Sequence, residues 1–125
     1  MKNNEISEIV LIDDDPINNF LCSKQINLFK SNVHITIFEN PYDALNYLGE
    51  SFSLPDLILL DINMPMMSGW ELLEELKTLD STIPPIFLVT SSTDQFDMDK
   101  AIGYNEIKSF ISKPLDNSKL NLIFG

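Results

Sequence analysis

The chain has 125 residues, 44% of them hydrophobic, and a formal net charge of −11 at pH 7, which fits one domain over residues 1–125 and excludes a self-sufficient nucleic-acid binder. All eight basic residues are lysines, which excludes bidentate phosphate recognition by guanidinium groups. The single cysteine cannot form an internal disulfide, and the four-residue apolar run near the N terminus is far below the ~18 residues of a membrane helix, so we expect a soluble, cytoplasmic protein with no membrane partner.

The first half of the chain alternates strand and helix signals. A continuous apolar run at Ile9–Ile12 predicts a strand buried on both faces. The Asp15-Pro16 pair then offers an N-cap and a first-turn proline for a helix. An alternating segment at Val33–Ile37 predicts an edge strand, and Asn40-Pro41 repeats the helix-start signal. The apolar residues that follow these two helix starts are Ile17, Phe20, Leu21, Leu28, Ala44, Leu45 and Leu48.

The second half continues the alternation. Leu57–Leu60 and Ile86–Val89 are continuous apolar runs and predict two further central strands. Between them, Ser68–Glu71 has the pattern of a capping box that starts a helix, with its apolar stripe at Leu72, Leu73, Leu76 and Leu79. The rest of the chain predicts a fourth helix over about 94–102, an edge strand over Ser109–Ser112, and a short fifth helix from about Asn117.

Five predicted strands thus alternate with five predicted helices. This pattern is typical of a parallel sheet covered by helices on both faces. Placing the two weaker strands at the edges favours the strand order 2-1-3-4-5. We therefore expect an α/β protein with a flavodoxin-like (βα)5 fold, a three-layer sandwich.

Polar side chains gather where the predicted strands end. In open α/β sheets the ligand site lies beyond the carboxyl ends of the strands. The residues there are Asp13, Asp14 and Asp15 after the first strand, Asp61 and Asn63 after the third, Thr90 at the end of the fourth, and Lys113 after the fifth. Clustered carboxylates raise one another's pKa unless a cation neutralises them, and an all-oxygen site suits Mg²⁺. The sequence therefore predicts a magnesium site at this edge.

At these residues the sequence resembles the receiver domain of bacterial two-component response regulators. The resemblance covers nearly the whole chain and rests on four motifs in the family's order, a specific combination. They are Val10–Pro16 with its acidic pair, Asp56–Gly69, Val89–Ser91 and Phe110–Pro114.

The resemblance implies a role for each acidic residue. Asp61 would be the phosphoacceptor, taking a phosphoryl group from the phosphohistidine of a sensor histidine kinase or a histidine phosphotransfer protein. Asp14 would bind Mg²⁺ directly, Asp13 would act through a bound water, and the backbone carbonyl of Asn63 would be a further ligand. Such a domain is not an enzyme, although it takes part in its own phosphorylation and dephosphorylation.

The resemblance also implies a switch and a partner surface. Thr90 would hydrogen-bond the aspartyl phosphate, and Lys113 would pair with its oxygens. Thr90 would then move toward the phosphate and let Phe110 turn inward, which changes the face of the fourth helix, fifth strand and fifth helix that receives a downstream protein. We also expect a cis Lys113–Pro114 peptide, because a tight loop must turn Lys113 toward the site. If the sequence is a whole protein, it is a single-domain regulator that acts by protein contact or by passing phosphate along a relay.

Three other interpretations start from the same residues. A Mg²⁺-dependent aspartyl-phosphate hydrolase of the haloacid-dehalogenase type normally has a second Asp two residues after the nucleophile, where this chain has Asn63, and it needs length for a cap domain. A pseudo-receiver used only as a binding module would not need the full set of site residues. A flavin-binding module would need a Gly- or Ser/Thr-rich phosphate loop after the first strand.

Three further residues are best interpreted as structural. His34 lies in a predicted edge strand and is an ordinary strand residue rather than a phosphotransfer histidine. Cys22 is a small buried or half-buried apolar group of the first helix. Trp70 packs against neighbouring helices. We also expect some of the methionines Met64, Met66 and Met67 to pack inward.

Overall fold

A computed structural model describes residues 5–50, 53–79 and 82–125. Strands and helices alternate as predicted. The first half contains β1 (Glu8–Ile12), α1 (Pro16–Phe29), β2 (His34–Phe38), α2 (Pro41–Glu50) and β3 (Leu57–Leu60). The second half contains α3 (Gly69–Lys77), β4 (Ile86–Thr90), α4 (Gln95–Ile102), β5 (Ile107–Ser112) and α5 (Asn117–Phe124).

The five strands form one parallel sheet in the order β2-β1-β3-β4-β5. The three apolar strands are central and the two weaker strands are at the edges, which confirms the predicted flavodoxin-like topology. Ile12 pairs with Phe38 on one side and with Leu60 on the other. The ends of β1, β2 and β3 are therefore level, and the residues that follow them meet at one edge of the sheet.

Strand β5 begins two residues earlier than the sequence indicated. Ile107 pairs with Ile86 and Ser109 pairs with Phe87, so Lys108 is an extra residue in β5. A bulge of this kind breaks the alternation of inward and outward side chains. For that reason the hydropathy pattern revealed only the part of the strand after the bulge.

Each face of the sheet carries its own apolar core, because successive strand residues point to opposite faces. Val10, Ile12, Ile58 and Leu60 pack with α2 and α3, and Ile9, Leu11, Leu57 and Leu59 pack with α1 and α5. This arrangement confirms the three-layer sandwich. Trp70 belongs to the first core and Cys22 to the second, as expected, and Met64 and Met67 pack inward while Met66 is 52% exposed.

Helix α1 is present where predicted, but the apolar residues that follow its start face solvent. Ile17, Phe20, Leu21 and Leu28 are between 56% and 84% exposed, whereas the buried residues are Asn19, Cys22 and Ile26. Helical spacing identifies a stripe but does not say which way it points. Asn19 turns inward because its side-chain amide donates to the backbone carbonyl of Asp13 at 2.8 Å.

Among the described residues, no helix combines the length and the hydropathy needed to cross a membrane.

Candidate functional site

Backbone hydrogen bonds just beyond the strands fix the residues that carry the site. The Asp13 N–H donates to the carbonyl of Phe38 at 3.1 Å, and the Asp61 N–H donates to the carbonyl of Ile12 at 3.0 Å. The Lys113 N–H donates to the carbonyl of Thr90 at 2.9 Å. These bonds continue the parallel ladder past the strand ends, so the first polar residue after each strand is held as firmly as the strand itself.

Three carboxylates converge at this edge of the sheet. Asp13, Asp14 and Asp61 each place a carboxylate oxygen within 4.8 Å of the other two. Asp13 and Asp61 are 1% and 5% exposed, and Asp14 is half-buried. Like charges this close in a poorly hydrated position repel strongly, so the cluster needs cations.

Asp13 is held by bonds to both of its carboxylate oxygens. The Asp15 N–H donates to Oδ1 at 2.9 Å, while the Asn18 side-chain amide and the Lys113 ammonium donate to Oδ2 at 2.8 and 2.7 Å. The Asp14 carboxylate, by contrast, makes no hydrogen bond or ion pair to any other described residue. Asp13 is therefore fixed in place, and Asp14 is left free to bind a ligand.

Asn18 and Asn19 belong to the site, and the sequence interpretation did not include them. Asn18 positions the Asp13 side chain, and Asn19 holds its backbone carbonyl. The sequence did contain a signal for them, because two adjacent amide side chains lie in the first turn of a helix that follows an acidic triplet. Asn19 in particular occupies a buried helix position where an apolar residue is the rule.

The Asp61 side chain has a buried, unsatisfied oxygen. Its Oδ1 has no hydrogen-bond partner within the described parts of the chain, and its Oδ2 lies 3.6 Å from Lys113 Nζ. Burial raises the pKa of Asp61, and the charge of Asp13 adds to the rise. The Lys113 charge, the Thr90 hydroxyl and the Asn63 N–H lower the pKa without cancelling the rise. Asp61 is thus a destabilised anion.

Lys113 supplies the positive charge that the described structure brings to the cluster. Burial works to lower the pKa of its ammonium, but the hydrogen bond to Asp13 and the charge of Asp61 outweigh burial and raise it. The ammonium is therefore charged throughout the neutral range. The Lys113–Pro114 peptide is cis, as predicted.

The remaining predicted residues are placed around this centre. Thr90 is fully buried, and its hydroxyl oxygen accepts a hydrogen bond from the Ser92 N–H at 3.2 Å. Asn63 is exposed in the loop after β3. Phe110 is half-buried, packs against the first core, and lines a cavity of about 150 Å³ beside α4. Phe110 pairs with Leu88 of β4 across the sheet.

The donor set fits a hard divalent cation. Carboxylate and carbonyl oxygens are the ligands that Mg²⁺ prefers. The half-buried Asp14 carboxylate and the unpartnered Asp61 oxygen are the atoms that such an ion would satisfy. A cation there would offset both the burial of the Asp61 charge and its repulsion by Asp13, which together raise the pKa of Asp61.

Asp61 and Asp56 should affect stability in opposite directions. We expect Asp61→Asn to raise the melting temperature at pH 7 in chelator, because it removes a buried charge. Asp56 accepts hydrogen bonds from the N–H groups of Ser7 and Glu8 at 2.8 and 2.9 Å, and these bonds hold its pKa below the ordinary range. The matched variant Asp56→Asn should therefore lower the melting temperature.

The pH dependence follows from the direction of each pKa shift. The raised pKa of Asp61 makes its ionised form a cost above that pKa, and the cost disappears on acidification. The lowered pKa of Asp56 makes its ionised form a gain that is lost as the pH falls through that pKa. Both differences from the wild-type melting temperature should therefore shrink in acid. Thermal unfolding between pH 3 and pH 8 measures this, and equal signs for the two variants at pH 7 would contradict it.

Comparisons with known proteins agree with one another. Residues 9–124 match the family model of the response regulator receiver domain. The chain is 34% identical to a two-component response regulator of known structure from Cytophaga hutchinsonii, with a TM-score of 0.84 and 95% of both chains covered. It is also 37% identical to the transcriptional regulatory protein FlgR of Helicobacter pylori and 30% identical to the probable methanogenesis regulatory protein FilR2 of Methanothrix harundinacea, with 86% of this chain covered in each case.

The curated relatives differ in how much of their length corresponds to this chain. The chain spans 26% of FlgR and 72% of FilR2. The similarity to FlgR is therefore confined to about a quarter of that regulator.

Proposed function

This chain belongs to the family of response regulator receiver domains, and from that premise we propose that Asp61 accepts a phosphoryl group from a phosphohistidine. Receiver domains are signalling domains that histidine kinases phosphorylate. The observation that carries the proposal is the buried Asp61 carboxylate in the acidic cluster, whose Oδ1 has no hydrogen-bond partner among the described residues and whose Oδ2 lies 3.6 Å from Lys113 Nζ. An anion so placed is a ready nucleophile once cations bring a phosphate group to it.

The transfer itself requires little from the protein beyond positioning and charge. A carboxylate oxygen of Asp61 forms the new bond to phosphorus as the bond between phosphorus and the imidazole nitrogen breaks, and the imidazole leaves with the electron pair. Lys113 stabilises the phosphoryl oxygens, and Thr90 is placed to donate a hydrogen bond to them. Bound Mg²⁺, held by Asp14, Asp61 and the carbonyl of Asn63 with Asp13 behind a water, would neutralise and orient the same oxygens.

The rival functions fit these residues less well. A phosphatase of the haloacid-dehalogenase type needs an acid and base two residues after the nucleophile, and the amide of Asn63 cannot supply one. A pseudo-receiver would have no use for an ion-paired Lys113 beside a complete carboxylate cluster.

Intact mass measures the proposed reaction directly. Incubation with Mg²⁺ and a small phosphodonor such as acetyl phosphate should add the mass of one phosphoryl group to the wild-type chain. Asp61→Asn should remain unmodified, while Asp56→Asn, which alters a carboxylate at the opposite end of β3, should react as the wild type does. Modification of the Asp61→Asn variant to the same extent would contradict the proposal.

Mg²⁺ should also stabilise the fold through the same cluster. An ion that binds only the folded state raises the melting temperature as its concentration exceeds the dissociation constant. We expect this rise in the wild type and its loss in Asp14→Asn. Asp15→Asn is the matched control, because Asp15 caps α1 and asparagine caps as well as aspartate. An undiminished rise in Asp14→Asn would place the ion elsewhere.

The phosphodonor is a sensor histidine kinase or a histidine phosphotransfer protein, and α1 offers it a surface. Ile17, Phe20 and Leu21 form an exposed apolar stripe on the helix that directly follows the acidic triplet. Exposed apolar side chains that lie together are typical of protein contacts. A donor resting on this stripe would bring its phosphohistidine to the carboxylates.

The downstream partner would bind the face of α4, β5 and α5, which also carries exposed apolar groups. Phe96, Ile102 and Leu122 are 67%, 84% and 61% exposed. Phe110 lines an open depression of the surface beside α4. Phe110 could report phosphorylation only by the burial or exposure of its ring, because it has no hydroxyl that could form a hydrogen bond at the surface. The inward turn of Phe110 on phosphorylation stays a prediction.

A further inference from the structure

A chain of hydrogen bonds leads away from Thr90 in a direction that does not involve Phe110. The Thr90 hydroxyl accepts from the Ser92 N–H at 3.2 Å. The Ser92 hydroxyl donates to Asp97 Oδ2 at 2.9 Å. The indole N–H of Trp70 donates to Asp97 Oδ1 at 3.1 Å. Four residues thus connect the end of β4 with α3 by way of the first turn of α4, and Ser92 takes part through both its backbone N–H and its hydroxyl.

The Asp97 carboxylate connects α4 to α3 and to the loop after β4. One of its oxygens is bonded to the loop after β4 and the other to α3, across 27 residues of sequence. Asp97 also lies in the first turn of α4, where a negative charge is favoured by the helix dipole. The Ser92 hydroxyl accepts from the N–H of Asp94, the N-cap of α4, at 3.2 Å. A displacement of Ser92 would therefore move the start of α4.

Trp70 connects this chain of bonds to the surface. Its ring stacks on Tyr104 at a centroid distance of 5.6 Å, and Lys100 Nζ lies 5.1 Å from the ring centre. The Tyr104 hydroxyl donates to Glu74 on α3 at 2.7 Å. Trp70 itself is 9% exposed, so a shift of the indole must displace the lysine and tyrosine that cover it.

We propose that this chain has a second output route, which transmits a structural change from phosphorylated Asp61 to Trp70. The change passes along the hydrogen bonds of Thr90, Ser92 and Asp97. It alters the α3–α4 surface around Lys100 and Tyr104. The inference rests on the proposed function, since the route begins at phosphorylated Asp61. A phosphoryl group adds strong acceptor oxygens beside Thr90. If the Thr90 side chain moves toward the phosphoryl group to donate to it, its oxygen also moves relative to the Ser92 N–H, from which the same oxygen accepts a hydrogen bond.

The route fits what this particular chain offers. Phe110 has no hydroxyl, so it can signal only through the position of its ring. The Thr90 to Trp70 path is made of directional bonds, and these constrain the partner at each end more tightly than apolar contact does. The α3–α4 surface would thus respond even if the ring of Phe110 stayed where it is.

The single tryptophan of the sequence makes the route measurable by NMR. The full chain is labelled with ¹⁵N and saturated with Mg²⁺ and beryllofluoride, where BeF₃⁻ on Asp61 stands in for the phosphoryl group. The ¹⁹F spectrum reports whether the site is occupied. We expect the indole N–H resonance of Trp70 to move on binding in the wild type, and to lose at least half of that movement in Ser92→Ala. Asp97→Ala cuts the path at its other end and should lose the movement as well.

Matched controls separate this route from a general response. Ser118→Ala removes a comparable bond, from the Ser118 hydroxyl to Asp116 at 2.8 Å, at the start of α5, and should leave the indole movement unchanged. Phe110→Leu should also leave it unchanged. A bound ¹⁹F signal without indole movement, or with equal movement in Ser92→Ala, would overturn the route and leave the proposed function standing. Absence of bound BeF₃⁻ in the wild type would overturn both.

Discussion

Replacing Gly69 with alanine should destabilise the fold severely and abolish phosphorylation of Asp61. A Cβ at this position would lie 2.6 Å from the backbone oxygen of Asp61 and 2.9 Å from the Cα of Ile62. Both atoms belong to backbone that cannot turn aside, and the Gly69 N–H already donates to the carbonyl of Ile62 at 2.8 Å. We expect a loss of about 3 kcal/mol in the free energy of unfolding, at the upper end of the range for overpacking.

Gly49→Ala is the matched control for this substitution. Gly49 is exposed near the end of α2, and its added Cβ would meet only the Leu79 side chain at 3.5 Å, an ordinary contact. Alanine is favoured over glycine in helices by about 1 kcal/mol, so this variant should be as stable as the wild type or slightly more so. Urea unfolding gives both free energies, and intact mass gives the phosphorylation. If Gly69→Ala unfolds at the same urea concentration as Gly49→Ala, the close approach at Gly69 does not constrain the loop.

The position of the carboxylate cluster could be predicted from the sequence because it follows from the topology of the sheet. Asp13 and Asp61 directly follow apolar strands and Lys113 directly follows the weaker β5, and a parallel sheet with a fixed order brings such positions to one edge. The sheet order in turn followed from the contrast between three apolar strands and two weaker ones. These inferences need only local composition and the rule for how parallel strands connect.

Contacts between distant segments could not be predicted from local composition and strand connectivity. The bond between Trp70 and Asp97 joins residues on two helices whose relative rotation depends on packing, and no periodicity encodes it. The outward direction of the Phe20 stripe on α1 depends on Asn19 being drawn to the Asp13 carbonyl. The closeness of Gly69 to Asp61 is likewise visible only once the loop after β3 has been folded.

Lys113 should prove the most costly side chain of the site to remove when no metal is present. Its ammonium is 2.7 Å from Asp13 and 3.6 Å from Asp61, and those side chains are 2% and 7% exposed. In Lys113→Met the two carboxylates would be left buried without their cation. Breaking a buried ion pair in this way costs about 3 to 5 kcal/mol. The Lys113 side chain is 16% exposed, so water weakens the pair somewhat. We therefore expect the free energy of unfolding in chelator to fall by about 3 kcal/mol, the lower end of that range.

Lys119→Met is the control, because Lys119 is similarly bonded but not to an acid. Its ammonium donates to the carbonyls of Ser112 and Pro114 at 2.8 and 3.0 Å, and because these acceptors are neutral, its loss leaves no buried charge and should cost about 1.5 kcal/mol, the lower end for hydrogen bonds that involve a charged group. Asp13→Asn in the Lys113→Met background should restore part of the lost stability, since it removes one of the two unpaired charges.

Added Mg²⁺ distinguishes lost charge from lost packing in Lys113→Met. A divalent ion among Asp13, Asp14 and Asp61 replaces the missing positive charge, so the difference in melting temperature between this variant and the wild type should narrow as Mg²⁺ increases. Methionine retains the apolar length of the lysine stem, so packing alone gives no reason for a dependence on the ion. The Lys119→Met variant should keep a constant difference from the wild type at every Mg²⁺ concentration. A difference for Lys113→Met that is equally insensitive to Mg²⁺ would mean that the ammonium and the ion do not share the same carboxylates.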